Sequence, residues 1–125
     1  MSAEITSFND FFIHDRIEKT LEKLKLNIPT DVQKSSIPHA LDGKDLQVCA
    51  ETGSGKTLAY LLPMMQKFLE SKSTIQGTRG LVLVPTRELA RQVFKAAKQF
   101  TDMNGMDVGL LTGGDDFKYQ AAMLR

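Results

Sequence analysis

Apolar residues at helical spacing recur in five stretches of the chain. In the first stretch, residues 8–26, Ile13, Ile17, Leu21 and Leu24 lie three or four positions apart and so share one face of a helix. The phenylalanines at its start are expected in the core: Phe8, Phe11 and Phe12. The other predicted helices cover residues 30–42 and 55–71, the segment from Thr86 to a turn at 102–105, and residues 115–125.

Short apolar runs of strand length separate these helices, at residues 46–49, 81–84 and 108–111. The second run, Leu-Val-Leu-Val, is apolar at every position, as strands buried in parallel sheets are. Strands that alternate with helices predict an α/β fold with a doubly wound parallel sheet. Ligands of such sheets bind beyond the carboxyl ends of the strands. Residues 50–57, 85–87 and 112–114 are therefore expected to share one functional edge.

The segment Ala50-Glu51-Thr52-Gly53-Ser54-Gly55-Lys56-Thr57 joins a predicted strand to a predicted helix, which is the context of a phosphate-binding loop. Its glycines let the backbone wrap around a phosphate, which successive N–H groups and the helix N-terminus would stabilise. Lys56 would supply a cation, and the Thr57 hydroxyl is placed to ligate Mg²⁺. Ala50 departs from the GxxxxGK[ST] pattern, in which glycine is usual first. The alternative is a glycine-rich turn with an incidental lysine.

Gln33 has two interpretations. Thr30 is a natural N-cap for the second helix, and a glutamine three residues later completes the capping-box pattern. A carboxamide can also donate to and accept from the N6/N7 edge of adenine. The spacing alone favours the cap.

Composition indicates an ordinary soluble globular domain, with 125 residues, 42% of them apolar and 25% charged. A net charge of +1 offers no overall attraction for nucleic acid, so any such binding must come from a local surface. Cys49 is the single cysteine; it is expected to be buried, and its lack of a partner fits a reducing compartment. Because the chain shows neither a signal-peptide pattern nor a long apolar stretch, we expect a cytoplasmic protein that does not contact membranes.

Taken together and in order, these motifs resemble those of the DEAD-box ATP-dependent RNA helicases, from Phe8 to the last residue. The loop at 50–57 matches motif I of that family, which itself has alanine at the position of Ala50. Pro-Thr-Arg-Glu-Leu-Ala at 85–90 matches motif Ia, and Gly-Gly at 113–114 matches the GG motif. Pro29-Thr30-x-x-Gln33 matches the core of the Q motif, and Phe8 stands where the family carries an isolated upstream aromatic residue.

The resemblance implies a RecA-like domain and a role for each matching position. Gln33 would select adenine, Lys56 and Thr57 would serve catalysis, and Thr57 would hold the Mg²⁺ that accompanies ATP or ADP. The nucleotide-binding set would be Phe8, Leu26, Gln33, Ala50, Glu51, Thr52, Gly53, Ser54, Gly55, Lys56 and Thr57. The sugar-phosphate backbone of RNA would be held by Pro85, Thr86, Arg87, Gly113 and Gly114. A surface ion pair for Arg87 and an ordinary turn at 113–114 are the alternatives. Backbone contacts carry no base information, so neither the RNA nor the cellular process follows.

Two departures from the family pattern concern the nucleotide. Lys25-Leu26 replaces the usual glycine and aromatic residue, and Ile28 replaces a common basic residue. Leu26 would contact adenine but could not stack on it. Because aromatic stacking contributes about 1 kcal/mol beyond burial, we expect modest nucleotide affinity. The larger departure is that the Walker B sequence, the Ser-Ala-Thr motif and the second RecA-like domain have no counterpart in these 125 residues. Asp115 and Asp116 follow a glycine turn and make poor substitutes for the Walker B acid.

We therefore expect N-terminal helices with the Q motif at 1–43 and, at 44–125, a partial RecA-like domain truncated before the Walker B strand. The parent protein would couple ATP hydrolysis to RNA binding and local duplex unwinding, whereas this chain alone would bind nucleotide without hydrolysing it. Unpaired strand edges would favour self-association. Two other function classes stay open: another P-loop enzyme such as a small kinase, which leaves residues 85–90 without a role, and a non-catalytic interaction module.

Overall fold

The structure is a computed structural model that describes residues 4–71 and 77–124. Its helices, in chain order, are a 3-10 helix at Phe8–Phe11 and the α helices α1 (Asp15–Lys23), α2 (Asp31–Leu41), α3 (Lys56–Glu70), α4 (Arg87–Asn104) and α5 (Phe117–Met123). The chain divides into two compact units, one up to Arg79 and one from Gly80 onward. No helix in the described ranges is long and apolar enough to cross a membrane. Residues 72–76, between the predicted helix at 55–71 and the predicted strand at 81–84, lie outside those ranges, as does Arg125.

The core of the first unit forms where α1 and α2 pack against α3. Ile17 and Leu21 of α1, Ile37 of α2 and Leu62 of α3 are all fully or almost fully buried. The predicted helical face is confirmed for Ile17 and Leu21, because residues four apart line one side of a helix, whereas Ile13 is buried but precedes α1 and Leu24 is its half-buried C-cap. The prolines within α2 and α3 each remove one backbone donor, and both helices continue past them.

Phe12 corrects the prediction that three phenylalanines join the core. Phe8 and Phe11 do so, with their ring centroids 5.9 Å apart, but the Phe12 side chain is 93% exposed. Phe12 has a φ of 56°, in the left-handed region, where the chain leaves the 3-10 helix. This residue interrupts the helical spacing predicted from residue 8 to residue 26 and directs its ring to solvent.

A capping box holds the 3-10 helix and makes it sensitive to acid. The Asp10 carboxylate accepts hydrogen bonds from the backbone N–H groups of Thr6 and Ser7, each at 3.0 Å. These bonds, that of Thr6 first, hold the pKa of Asp10 below its ordinary value. A lowered pKa in the folded state means that the carboxylate stabilises the fold at neutral pH, and that this contribution is lost as the pH falls through the lowered value.

We expect Asp10→Asn to lower the melting temperature at pH 7, because the amide replaces a charged acceptor of two backbone donors with a neutral one. The difference from the unsubstituted protein should shrink as the pH is lowered, and thermal melts across the acid range measure it. Asp15→Asn, a change at an exposed carboxylate in the first turn of α1, is the control. An equal difference at every pH would contradict the assignment.

The predicted doubly wound sheet is not confirmed, since none of the residues in 4–71 and 77–124 lies in a β strand. Leu81 and Leu83 are 73% and 84% exposed, while Val82 and Val84 between them are half-buried. This alternation has the two-residue period of an extended segment that is covered on one face. A strand also needs a neighbour for its backbone groups, and these runs have none in the described part of the chain. Cys49 lies in such a run and is exposed, contrary to its predicted burial.

In the second unit, α4 buries Val93, Ala97 and Phe100, which lie three or four positions apart on one face of the helix. The helix continues into the predicted turn and ends at Asn104, followed by Gly105 with a φ of 66°. An ion pair four residues apart, Lys98 Nζ to Asp102 Oδ1 at 3.1 Å, lies across the last turns and accompanies the extension. The short helix α5 has no buried residue.

Candidate functional site

The loop at 50–57 has the backbone shape of an anion site. Gly53 and Gly55 have φ angles of 82° and 91°, which side-chain-bearing residues rarely adopt. Between them Ser54 N donates to Glu51 O at 3.2 Å and closes a turn. Gly55 is the N-cap of α3 and has no side chain to cap it, so the first N–H groups of this helix keep the positive end of its dipole free for an anion.

The Lys56 side chain reaches back across the loop, where its ammonium donates to the carbonyl oxygen of Ala50. Thr57, the next residue, is half-buried in the first turn of α3. The exposed residues Glu51 and Thr52 form the outer part of the loop. The structure thus brings the predicted cation and the predicted hydroxyl ligand to the same helix end.

A buried hydroxyl supports the fit of a phosphate to this loop. Ser54 Oγ is buried and, within the residues that the structure describes, makes no hydrogen bond. Leaving a buried polar group unpaired costs about 1–3 kcal/mol. A phosphate oxygen is an acceptor of the kind that a serine hydroxyl at a helix N-terminus can pair with.

Gln33 contacts both the helix cap and the loop. Its side chain is buried; Oε1 accepts from Thr30 N at 2.8 Å, and Thr30 Oγ1 accepts from Gln33 N at 3.4 Å. The predicted capping box is confirmed. In addition, Gln33 Nε2 donates to the carbonyl oxygen of Gly55 at 3.1 Å, which the sequence did not predict. The contact joins the first turn of α2 to the loop at 50–57, so Gln33 caps its helix and contacts that loop at the same time.

Gly55 is the residue that makes this contact possible. A Cβ atom at Gly55 would lie 2.5 Å from Gln33 Nε2 and 2.9 Å from Thr30 Oγ1, closer than real Cβ atoms come. At Gly53 a Cβ atom would meet nothing within 4 Å. Two features therefore require glycine at position 55: its left-handed backbone angle and the close approach of the Gln33 and Thr30 side chains.

The two upstream residues of the predicted nucleotide set differ in their exposure. Phe8 N donates to Asn27 O at 3.2 Å, which places Phe8 beside the segment that leads to Gln33. Its ring is 2% exposed and therefore supports that segment from the core. Leu26 is 38% exposed and Ile28 75%, so both offer apolar surface.

In the second unit, Arg87 lies against the glycine pair. A Cβ atom at Gly114 would lie 2.7 Å from Arg87 Nη1, and one at Gly113 would lie 3.6 Å from Nη2. Thr86 is the N-cap of α4, and its hydroxyl accepts from Leu89 N at 3.1 Å. Pro85 precedes it and is exposed. No carboxylate in the described ranges lies within ion-pair distance of Arg87, so the ion-pair alternative is not formed there.

The two aspartates after the glycine pair have local partners. The Asp115 carboxylate accepts from the Thr112 hydroxyl and lies 4.0 Å from Arg91 Nη2. Asp116 caps α5 by accepting from Lys118 N at 3.0 Å. Across residues 4–71 and 77–124, no three side chains of histidine, cysteine, aspartate or glutamate come together to hold a metal.

A glycine-rich loop, a lysine that follows it and a helix without a side-chain cap define the class of P-loop nucleotide-binding proteins. The family model described as DEAD/DEAH box helicase matches residues 30–125. This chain belongs to that family, which confirms the resemblance that its motifs indicate.

Curated relatives agree with the family model. The chain is similar to the ATP-dependent RNA helicase dbp9 of Aspergillus clavatus, with 45% identity over 109 residues, which are 85% of this chain and 18% of that protein. It is 41% identical over 118 residues to the ATP-dependent RNA helicase vasa of Drosophila melanogaster, covering 93% of this chain and 18% of that protein. The chain thus spans about a fifth of the length of these relatives.

Solved structures support the RecA-like helicase fold. The RNA helicase Prp28 from Chaetomium thermophilum, solved with ADP, matches with a TM-score of 0.86 and 33% identity over 97% of this chain and 30% of that one. A DEAD box protein from Methanococcus jannaschii matches with a TM-score of 0.80 and 28% identity over 98% and 33%. These neighbours support a RecA-like helicase fold for this chain, although the apolar runs within residues 4–71 and 77–124 are not paired into strands.

Proposed function

We propose that this chain is the ATP-binding N-terminal portion of an RNA helicase that couples ATP hydrolysis to RNA binding and local duplex unwinding. The observation that carries the proposal is the hydrogen bond from Gln33 Nε2 to the Gly55 carbonyl. The two residues approach so closely that a Cβ atom at Gly55 would lie 2.5 Å from Gln33 Nε2. It joins a residue that can read a base to the loop that can hold phosphates. A generic P-loop needs only the second of these.

The residues of the loop divide the phosphate contacts between them. The N–H groups that follow Gly53 and Gly55 and the Ser54 hydroxyl would face the phosphate oxygens. Lys56 would exchange its bond to the Ala50 carbonyl for the terminal phosphates, whose charge makes them stronger acceptors. Thr57 would ligate Mg²⁺, which neutralises phosphate charge when it is bound.

Gln33 keeps hydrogen-bonding capacity for adenine. A carboxamide has two donor hydrogens and two acceptor lone pairs, and the contacts with Thr30 and Gly55 use one of each. The remaining donor and lone pair match the acceptor N7 and donor N6 of adenine. Leu26 would add an apolar contact to the base, in keeping with modest affinity.

The second unit would contact RNA through its sugar-phosphate backbone. The Arg87 guanidinium carries a fixed charge with donors in a planar fork, and neither Gly113 nor Gly114 has a side chain to keep a phosphate away. The backbone N–H of Thr86 would contribute at the start of α4, where the helix dipole favours an anion, and the Pro85 carbonyl, which can only accept, would contact a ribose hydroxyl. Such contacts hold any RNA sequence alike.

Several broader expectations stay proposals. The division at residue 43, the cytoplasmic location and the lack of hydrolysis by this chain alone belong to them. Self-association is supported by the exposure of apolar side chains in the predicted strands, namely Leu46, Val48, Leu81, Leu83 and Leu111. Light scattering that finds only monomers at high concentration would contradict it.

The proposal is tested by calorimetric titration of this chain with ADP and with GDP in Mg²⁺. We expect ADP to bind at least tenfold more tightly than GDP, since guanine carries a carbonyl oxygen where adenine carries its N6 amino group. Lys56→Ala should remove most of the affinity for ADP, because the terminal phosphates lose their cation.

Each other outcome has a distinct meaning. Equal affinity for ADP and GDP would contradict base recognition by Gln33 and favour a different P-loop enzyme, such as a small kinase. No binding of either nucleotide to a folded sample would contradict the proposed site. Unchanged ADP affinity in Lys56→Ala would place the nucleotide elsewhere on the chain.

A further inference from the structure

Gln120 on α5 holds the backbone of a single residue by both of its polar groups. Its Oε1 accepts from Thr112 N at 2.7 Å, and its Nε2 donates to Thr112 O at 3.1 Å. A weaker bond from Nε2 to Asp116 O, at 3.4 Å, lies within the same helix end. The carboxamide thus pairs with Thr112 as the peptide group of a neighbouring strand would.

The position of Thr112 gives this pairing its consequence. Thr112 directly precedes Gly113 and Gly114, the residues against which the Arg87 guanidinium lies. Two adjacent glycines have more backbone freedom than any other pair of residues, so their course depends on what holds them at either side. On the preceding side, Gln120 holds both backbone groups of Thr112.

Core packing does not account for Gln120. The helix that carries it has no buried residue, and Gln120 itself is half-buried. Its two stronger hydrogen bonds leave the helix and go to Thr112, eight residues away along the chain. A glutamine needed only for solubility or helix propensity would make neither bond.

We propose that Gln120 is a positioning residue for the RNA contact of this protein: it fixes Thr112 so that the glycine pair stays against the Arg87 guanidinium. Gln120 itself does not touch RNA. The inference rests on the proposed function, because it assigns to Gln120 an effect on the RNA contact made by Arg87.

The test is binding of a fluorescent single-stranded oligouridine to the 125-residue chain, measured by anisotropy. We expect Gln120→Ala to bind about three- to tenfold more weakly, as loss of one oriented phosphate contact would produce. Alanine favours helix more than glutamine does, so a loss cannot come from helix propensity. Gln99→Ala, at an exposed glutamine of α4, should bind as the unsubstituted chain does, and ADP affinity should be unchanged in both.

A double-mutant cycle with Arg87 separates positioning from general support of the fold. If Gln120 acts through Arg87, the pair Gln120→Ala and Arg87→Ala should bind no more weakly than Arg87→Ala alone. Fully additive losses would overturn the inference. The inference would also be overturned if Gln120→Ala bound RNA as tightly as the unsubstituted chain does.

Two measurements by nuclear magnetic resonance need no RNA. Hydrogen exchange at the Thr112 amide should be slow in the unsubstituted chain and faster in Gln120→Ala, and the Arg87 Nε–H signal should shift in that variant. An unshifted Arg87 signal would overturn the inference. Failure of the unsubstituted chain to bind oligouridine would instead contradict the proposed function, and the inference would fall with it.

Discussion

Replacing Gly55 by alanine should cost this protein both stability and its nucleotide site. The backbone at Gly55 has a φ of 91°, and a left-handed angle costs about 1–2 kcal/mol for a residue with a Cβ atom. The new methyl group would also lie 2.5 Å from Gln33 Nε2, and overpacking of this kind costs about 1–3 kcal/mol. We expect unfolding in urea to show a loss of about 2–5 kcal/mol from these two terms together.

The loss of nucleotide has the same cause. To relieve the contact, either Gln33 or the loop must move, and the hydrogen bond between Gln33 and the Gly55 carbonyl breaks. The parts of the site that we propose to read the base and to hold the phosphates would then separate. Calorimetry should show ADP affinity lower by a factor of about ten or more, which corresponds to 1.4 kcal/mol or more of binding free energy.

Gly43 offers a matched control in the same unit. Its φ of 83° is close to that of Gly55, but a Cβ atom there would meet nothing within 4 Å. Gly43→Ala should therefore show the backbone cost alone, about 1–2 kcal/mol, and bind ADP normally. Equal losses of stability in the two variants would contradict the role of the Gln33 contact. Adding Gln33→Ala to Gly55→Ala should recover about 1 kcal/mol relative to additivity, since it removes the nearer of the two clashes and leaves only that with Thr30 Oγ1 at 2.9 Å.

Replacing Gly114 by alanine should weaken RNA binding by displacing Arg87. The methyl group would lie 2.7 Å from Arg87 Nη1 and 3.1 Å from its Cζ atom. Because these atoms end a long side chain, the guanidinium moves away more readily than the backbone does. Binding of oligouridine should weaken about tenfold, and the slope of log affinity against log salt should fall by about 0.7, the value for one phosphate contact on a single strand.

Gly105→Ala separates strain from displacement within the second unit. Gly105 has a φ of 66°, and a Cβ atom there would meet nothing within 4 Å. We expect this variant to lose stability as Gly114→Ala does but to bind oligouridine normally. Arg87→Ala should match the RNA defect of Gly114→Ala, and the double variant should be no worse. An unchanged salt slope in Gly114→Ala would contradict displacement of Arg87.

Local chemistry predicted much of the helical structure. The capping box of Thr30 and Gln33, the end of α2 just before its C-cap Asp42 and the start of α3 after Gly55 follow from short-range rules on caps and glycine. The failures are of two kinds. The exposure of Phe12 depends on its own left-handed backbone angle, which the spacing of apolar residues does not reveal. The predicted strands depend on neighbours distant in sequence, which the pattern of a single run does not specify.

The sequence by itself determined the family and most of the helices, and it predicted the phosphate-binding loop, because each of these is encoded in residue types at fixed short spacing. Only the tertiary structure decided which of the predicted site residues touch. The hydrogen bond between Gln33 and Gly55 spans 22 positions of the sequence. The contact of Arg87 with Gly113 and Gly114 joins a helix to a turn. Contacts of this length arise from packing of whole helices and turns against one another, a property that no local spacing carries.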